Sequence, residues 1–275
     1  MSPPYERLAS RSNPRIKQLR AALAGNTRLA DGMIAIEGPH LVAEAIRSGI
    51  VLATLFLAEG TPLPQDLPED VEVLHLSREA FGSAASTAAP QGIAALLQAP
   101  RLPLALDRDP LLLIAAGLQD PGNLGTLIRS AEAFGAAGVL LTPGTVSPWN
   151  GKTMRASAGS VFRVPVLQVD HAAVAALPSQ QIRVLAAVTG DSAPHYSSSV
   201  PLGDLDLTRG CAFLIGNEGA GLSADLLALA ETRITIPTPG PVESLNAAVA
   251  GSLLLYEAAR QRSLRRRPPH GEPHA

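Results

Sequence analysis

The sequence is poor in aromatic residues, at 3% of its 275 positions, and it holds a single cysteine, Cys211. One cysteine excludes an intramolecular disulfide framework and suits a reducing compartment, so a cytoplasmic location is expected. No apolar run approaches the roughly 18 residues that a membrane-crossing helix needs. The first stretch, MSPPYERLASRSNPRIKQLR, is basic and polar and has no apolar segment of the secretory kind. Metal chemistry finds no support either: H-E-x-x-H and paired cysteines are missing, and His40, His75 and His171 are scattered, as structural histidines are. Phosphate loops fail on spacing. Gly151-Lys152-Thr153 ends like a nucleotide-binding loop, but Val146 stands where the first glycine belongs and Gly144 lies too far upstream. Gly219-Ala220-Gly221 lacks the third glycine of a dinucleotide fingerprint, its place taken by Ala224.

What remains is an ordinary globular composition, 46% hydrophobic and 17% charged, with alanine and leucine carrying the core. The length allows one large domain or two smaller ones. A net charge of −2 argues against polyanion binding, yet its distribution is uneven. Arg7, Arg11, Arg15, Lys17, Arg20 and Arg28 face only Glu6 in the first 28 residues, and Arg260, Arg262, Arg265, Arg266 and Arg267 cluster near the end. Such patches attract phosphates even on a near-neutral molecule. Solvated terminal charges are the alternative, and composition leaves both readings open.

Hydrophobic periodicity predicts an α/β protein. Asn13 caps a helix over 14–24 with Pro14 at its first position. Strands are expected at 33–38, 51–58, 71–76 and 93–99, with helices at 39–48 and from about Ser77. Proline-rich 101–110 reads as a linker between a domain of 1–100 and one of 111–264, with 265–275 a disordered tail. In the second domain, continuous apolar runs at 111–118, 137–142, 164–169, 182–188, 211–216 and 232–237 have the character of parallel strands buried on both faces. A helix is expected from about Gly122 to Phe134. A long closing helix is expected from Ser244, its cap, to Leu264, with Leu245, Val249, Leu253 and Tyr256 on one apolar stripe.

Three polar, glycine-bearing loops follow apolar strands of that second domain: DPGNLGTLIRSAEAFGA (120–136), IGNEGAGLS (215–223) and IPTPGPVESLNAAVAGSLLLYEA (236–258). Each alone reads as a turn before a helix. Together, at the strand ends of a parallel sheet, they suggest one shared pocket.

In this order the three segments resemble the signature motifs of the SpoU/TrmH branch of the SPOUT RNA methyltransferases, over nearly all of 111–262. SNPRIKQLR and IEGPHLVAEAI are similar, more weakly, to the RNA substrate-binding domain that ribosomal-RNA members carry. The resemblance implies a catalytic domain tied in a trefoil knot, a homodimer, S-adenosylmethionine as cofactor, and methylation of a ribose 2′-hydroxyl in RNA, with large-subunit (23S) ribosomal RNA the expected substrate. Transfer RNA as substrate, or a non-catalytic RNA-binding or ribosome-assembly role on the same scaffold, are the alternatives. No metal is implied.

The resemblance also carries residues. The cofactor is expected against Thr189, Gly190, Leu214, Ile215, Gly216, Asn217, Gly219, Ile236, Pro237, Ser244, Leu245 and Ala247, where tight main-chain loops read an adenine edge. Catalytic roles fall to Arg129, Asn123, Glu218, Ser244 and Asn246. An arginine is a poor base, so Arg129 is read as orienting the hydroxyl or phosphate and stabilising developing oxyanion character. Asn123 suits positioning a ribose or holding Arg129, and Glu218 suits pairing with Arg129 or fixing the cofactor loop. Arg155 resembles a further family segment, with RNA contact and a plain surface charge both open. Cys211 begins an apolar strand with no histidine nearby, which disfavours the cysteine chemistry that methylation at a pyrimidine carbon generally uses.

Overall fold

The computed structural model describes residues 7–8, 10–24, 29, 32–189 and 199–266. It divides into two units, Met1–Arg101 with Ser147–Arg163, and Leu102–Val146 with Val164–Ala275. Of the expected tail at 265–275, Arg265 and Arg266 are helical, and 267–275 lie outside the described residues.

The first unit is built on a five-stranded sheet in the order β1-β4-β3-β5-β2. Its strands are β1 (Arg7–Leu8), β2 (Met33–Glu37), β3 (Leu52–Ala58), β4 (Glu72–Leu76) and β5 (Ile93–Gln98). β5 runs antiparallel to both β2 and β3, and the β1–β4 and β3–β4 pairs are parallel. Helix α1 (Pro14–Ala24) starts where expected, the Arg15 amide donating to Asn13 Oδ1 at 2.9 Å. It buries Ile16 and Leu19 against Phe56, Phe81 and Leu96. Helix α2 (Pro39–Arg47) follows β2, and α3 (Arg78–Ala84) is capped by Ser77.

The second unit is a seven-stranded, wholly parallel sheet, as its continuous apolar runs imply. It opens with β6 (Leu111–Ala115), α4 (Pro121–Ala133) and β7 (Gly138–Leu141). Next in sequence comes α5 (Gly151–Ala156), which packs on β2 within the first unit. Its Thr153 is fully buried, consistent with a structural rather than phosphate-binding Gly-Lys-Thr. The second unit resumes with β8 (Val166–Gln168), α6 (His171–Ala175), β9 (Arg183–Ala187), β10 (Ser199–Pro201), β11 (Cys211–Ile215), α7 (Ala224–Ala228), β12 (Thr232–Thr235) and α8 (Ala247–Arg266).

The strand order is β10-β12-β9-β11-β6-β7-β8. The chain winds from β6 through β7 to β8 toward one edge, then crosses to build the other side. β6 and β11, paired from Leu111↔Cys211 to Ala115↔Ile215, therefore flank the reversal of winding, where open parallel sheets bind ligands. Gly251 lets α8 lie close: a Cβ there would run into Leu127 of α4, with Leu113 and Ile215 next nearest. Ser130 and Ser252 share a hydrogen bond of 2.7 Å across the same helix pair.

The closing helix corrects the expected cap. It starts at Ala247, and Asn246, not Ser244, accepts from the amides of Ala248 (2.9 Å) and Val249 (3.2 Å). Its stripe is split from the core: Ala248, Leu254, Leu255 and Ala258 are buried, whereas Val249, Leu253 and Tyr256 are exposed. Among the described residues the terminal charges are also largely engaged. Arg11 pairs with Glu79 and Arg15 with Glu72, while Arg20 bonds Ser83 and Arg260 pairs with Glu257. Arg262 donates to the carbonyls of Leu207, Asp109 and Arg209 and so ties the end of α8 to its own unit. Cys211 is fully buried; burial pushes its thiol pKa up against the opposing pull of Arg262 and Arg183, so it sits as an inert core group.

Candidate active site

The loops that follow β9, β11 and β12 close around a cavity of about 540 Å³ in the second unit. The β11 loop is the tightest. A Cβ on Gly216 would stand 2.5 Å from the carbonyl carbon of Gly221 and 2.8 Å from the Leu222 nitrogen, so only glycine lets the loop fold back over its own strand. Asn217 and Gly221 exchange main-chain hydrogen bonds of 3.0 Å, and Gly221 turns with φ +68. The Asn217 side chain organises the turn: its Oδ1 accepts from the amides of Gly219 and Ala220, both at 2.9 Å, and its Nδ2 donates to the Gly117 carbonyl at 2.8 Å. That last bond ties the β11 loop to the end of β6.

A directed chain of side chains joins the loops after β11 and β12 to the first turn of α4. Asn246 Nδ2 donates to Asn123 Oδ1 at 2.9 Å, and Asn123 Nδ2 donates to Glu218 Oε1 at 2.9 Å. Glu218 also receives the amides of Asp120 (3.3 Å) and Gln119 (3.4 Å). Burial raises the Glu218 pKa, and these hydrogen bonds outweigh it, holding the carboxyl below its ordinary value. The direction of the chain is fixed at one end. Asn246 Oδ1 is held by two α8 amides, which leaves its Nδ2 to face Asn123.

Of the expected cofactor residues, Thr189, Ile215, Gly216, Asn217, Gly219, Ile236, Ser244, Leu245 and Ala247 line the cavity. Leu214 is buried within β11, Pro237 is not among the lining residues, and Gly190 lies outside the described residues. Of the expected catalytic residues, Glu218, Ser244 and Asn246 line it; Asn123 does not, but it bonds Glu218 and Asn246, which do. Arg129 does not. It is exposed on α4, two turns beyond Asn123, and among the described residues it makes no hydrogen bond or ion pair. Glu218 is therefore bonded to Asn123 rather than to Arg129. Arg155 is exposed on α5, and its charge acts on Glu37 of the first unit.

Sequence reasoning missed Leu222, Ile234, Thr238 and Glu243 on the cavity wall. Glu243 stands directly before Ser244 and Leu245, so its charge is the available signal. Among the described residues no group of three or more histidine, cysteine, aspartate or glutamate side chains could hold a metal, and no helix is long and apolar enough to cross a membrane.

The SpoU rRNA Methylase family model matches residues 110–256, and a model for an MRM3-like substrate binding domain matches 13–95. The chain belongs to the SpoU rRNA methylase family. It is 34% identical to the 23S rRNA (guanosine(2553)-2′-O)-methyltransferase RlmP of Bacillus subtilis, over 91% of this chain and 98% of that one. It is 31% identical to mouse mitochondrial rRNA methyltransferase 3, over 85% of this chain and 69% of that one. Among solved structures it resembles the SpoU methyltransferase AviRb of Streptomyces viridochromogenes in complex with its cofactor AdoMet, with a TM-score of 0.78 and 28% identity, over 91% and 98% of the two chains. As a SpoU methylase, the chain is an S-adenosylmethionine-dependent RNA methyltransferase.

The cavity suits that cofactor. Its volume falls in the range of about 300–1,000 Å³ typical of small-molecule pockets. Ile215, Leu222, Ile234 and Ile236 offer apolar surface to a heterocycle, and the uncovered main chain at Gly216 admits one closely.

Proposed function

We propose that this chain methylates a ribose 2′-hydroxyl of large-subunit ribosomal RNA. The observation that carries the reading is the joining of three sequence-distant loops, through Asn246, Asn123 and Glu218, at the rim of one cavity beside the winding reversal of a parallel sheet. The substrate follows from the ribosomal-RNA activities named for relatives matched over most of both chains and from the substrate-binding module at 13–95.

S-adenosylmethionine, when bound, supplies an electrophilic methyl group on a sulfonium centre. The protein's own groups do the rest. Main chain at Gly216, Ile236 and Leu245 holds the adenosine, with Thr189, Ile215, Asn217, Gly219, Ser244 and Ala247 completing its wall. Glu218 and Asn123 hold the motif loops in register. Arg129, exposed and unpartnered among the described residues, offers its fork to the RNA, orienting the reacting hydroxyl or its neighbouring phosphate and stabilising the oxygen as its proton passes to solvent or a phosphate oxygen. The catalytic domain works in the cytoplasm as a trefoil-knotted homodimer, with Val249, Leu253 and Tyr256 of α8 at the interface; a continuous exposed apolar stripe on a helix supports that assignment.

The test is methyl transfer from labelled cofactor to unmodified ribosomal RNA and to unmodified transfer RNA, with Arg129→Ala as control. Label in a ribose of ribosomal RNA, lost in the variant, is expected. Label in transfer RNA alone overturns the substrate, and no label with no cofactor binding overturns the enzyme.

A further inference from the structure

Two carboxylates line the cavity, Glu218 and Glu243. Glu218 faces motif one, its oxygens occupied by Asn123 and by the amides of Gln119 and Asp120. Asn217 is occupied in the same way, and the Asn246 carbonyl is held by α8. The remaining polar side chains on the wall, Thr189, Thr238 and Ser244, are neutral hydroxyls. Glu243 differs from all of these: it is exposed, it lines the cavity, and among the described residues it has no hydrogen-bond or ion-pair partner. Apolar Ile215 and Ile234 form the buried side of the wall, at 3% and 1% exposure, so the cavity runs from an apolar floor to an acidic open side.

We propose that Glu243 is a cofactor-binding residue that receives the α-ammonium of the methionyl arm. This rests on the reading of the cavity as the cofactor site. The cofactor carries two positive centres. A sulfonium has no hydrogen to donate, whereas an ammonium carries three and is matched best by a carboxylate. Placing the ammonium at the solvent side leaves the adenine for the apolar floor and directs the arm along the loop that precedes α8. The assignment makes Glu243 a discriminator of the amino-acid portion of the ligand, separate from the loops that read the nucleoside.

Calorimetric titration of the full chain with two ligands tests it. S-adenosylhomocysteine carries the ammonium, and 5′-methylthioadenosine keeps the adenine, ribose and thioether without it. Glu243→Gln is expected to weaken S-adenosylhomocysteine by about tenfold, the scale of one charge-assisted hydrogen bond at an exposed site, and to leave methylthioadenosine within about twofold. Methylthioadenosine binding also reports that the variant is folded. Unchanged S-adenosylhomocysteine affinity overturns the proposal. Equal weakening of both ligands overturns it as well, moving Glu243 to the ribose hydroxyls or to loop support. If the native chain binds neither ligand, the cofactor reading of the cavity fails first, and this proposal with it.

Discussion

Replacing Glu218 by glutamine tests whether the Asn246–Asn123–Glu218 chain is directional. The native carboxylate accepts from Asn123 Nδ2 at 2.9 Å and from the amides of Asp120 and Gln119 at 3.3 and 3.4 Å. Glutamine turns one acceptor oxygen into a donor, so an N–H group meets either the Asn123 amide or a main-chain N–H. A hydrogen bond to a charged group contributes roughly 1.5–3 kcal/mol when sheltered. Glu218 is exposed, and solvent screening brings the expected stability loss to about 1 kcal/mol. Activity is more sensitive, because the same bonds set the spacing of the motif loops. Small misplacements at reacting groups cost up to about 100-fold, and a fall of roughly 10- to 100-fold in kcat/KM is expected. The informative variant is the swap, Asn123→Asp combined with Glu218→Gln. The carboxylate introduced on α4 then accepts from both Asn246 and the new glutamine amide, while the glutamine oxygen still receives a main-chain amide. The double variant should be more active than either single one, with a coupling energy of about 1–3 kcal/mol in a double-mutant cycle read from single-turnover methylation. If Glu218→Gln retains activity within about twofold, or the double variant shows only the product of the two single losses, the chain does not position the site.

The other predictions are simpler. Gly216→Ala puts a Cβ against the backbone of Gly221 and Leu222, so cofactor affinity should fall more than about tenfold while secondary structure is retained, checked by calorimetry and circular dichroism. Arg129→Lys should lose most turnover with little change in cofactor affinity if the planar fork is what matters; near-normal kcat refutes that role. The proposed homodimer predicts that the chain sediments as a dimer and that Leu253→Glu, which places a charge on the exposed α8 stripe, sediments as a monomer; a monomeric native chain refutes the dimer. Glu37 contributes to the acid stability of the first unit. Burial raises its pKa, but bonds from Ser86 and Thr87 and the charge of Arg155 outweigh this and bring it below the ordinary 4.5. A depressed carboxylate stabilises the fold fully above its ordinary value and loses that contribution as pH falls through the lowered one. Glu37→Gln should therefore lower stability near neutral pH by about 1–3 kcal/mol and flatten the unfolding curve below about pH 4.5.

Much of this architecture is legible in sequence because parallel strands buried on both faces write themselves as unbroken apolar runs. β6 and β11 are buried at every position, and each emerges from such a run, trimmed where the chain turns into a loop. β1 and β10 give no such signal. They are edge strands of two and three residues with no apolar run around them, whereas β8, an edge strand of three residues, lies inside the run at 164–169. The start of α8 misleads for a different reason. Ser244 has the right chemistry for a cap, but so does Asn246, and the choice is made by which side chain reaches the free amides of the first turn. The basic residues show a sharper limit. Arg15 and Arg11 look free in sequence because their acids, Glu72 and Glu79, lie 57 and 68 positions away.

The same separation explains how much of the site can be known in advance. Motif strings identify Asn123, Glu218 and Asn246 as polar residues at strand ends, but 95 positions separate the first pair and 123 separate the first from the last. An asparagine donates and accepts equally well, so no string can say which way its amide points. Direction enters only when α8 docks. Its first turn takes the Asn246 oxygen, Asn246 then turns the Asn123 amide, and Asn123 presents its hydrogens to Glu218. Both oxygens of the last carboxylate accept N–H donors, an arrangement that favours the charged form and agrees with its lowered pKa. Glu218 is a holding group for that reason. The one charged wall residue left with no partner among the described residues is Glu243, which the motif strings carry without marking it off from its neighbours.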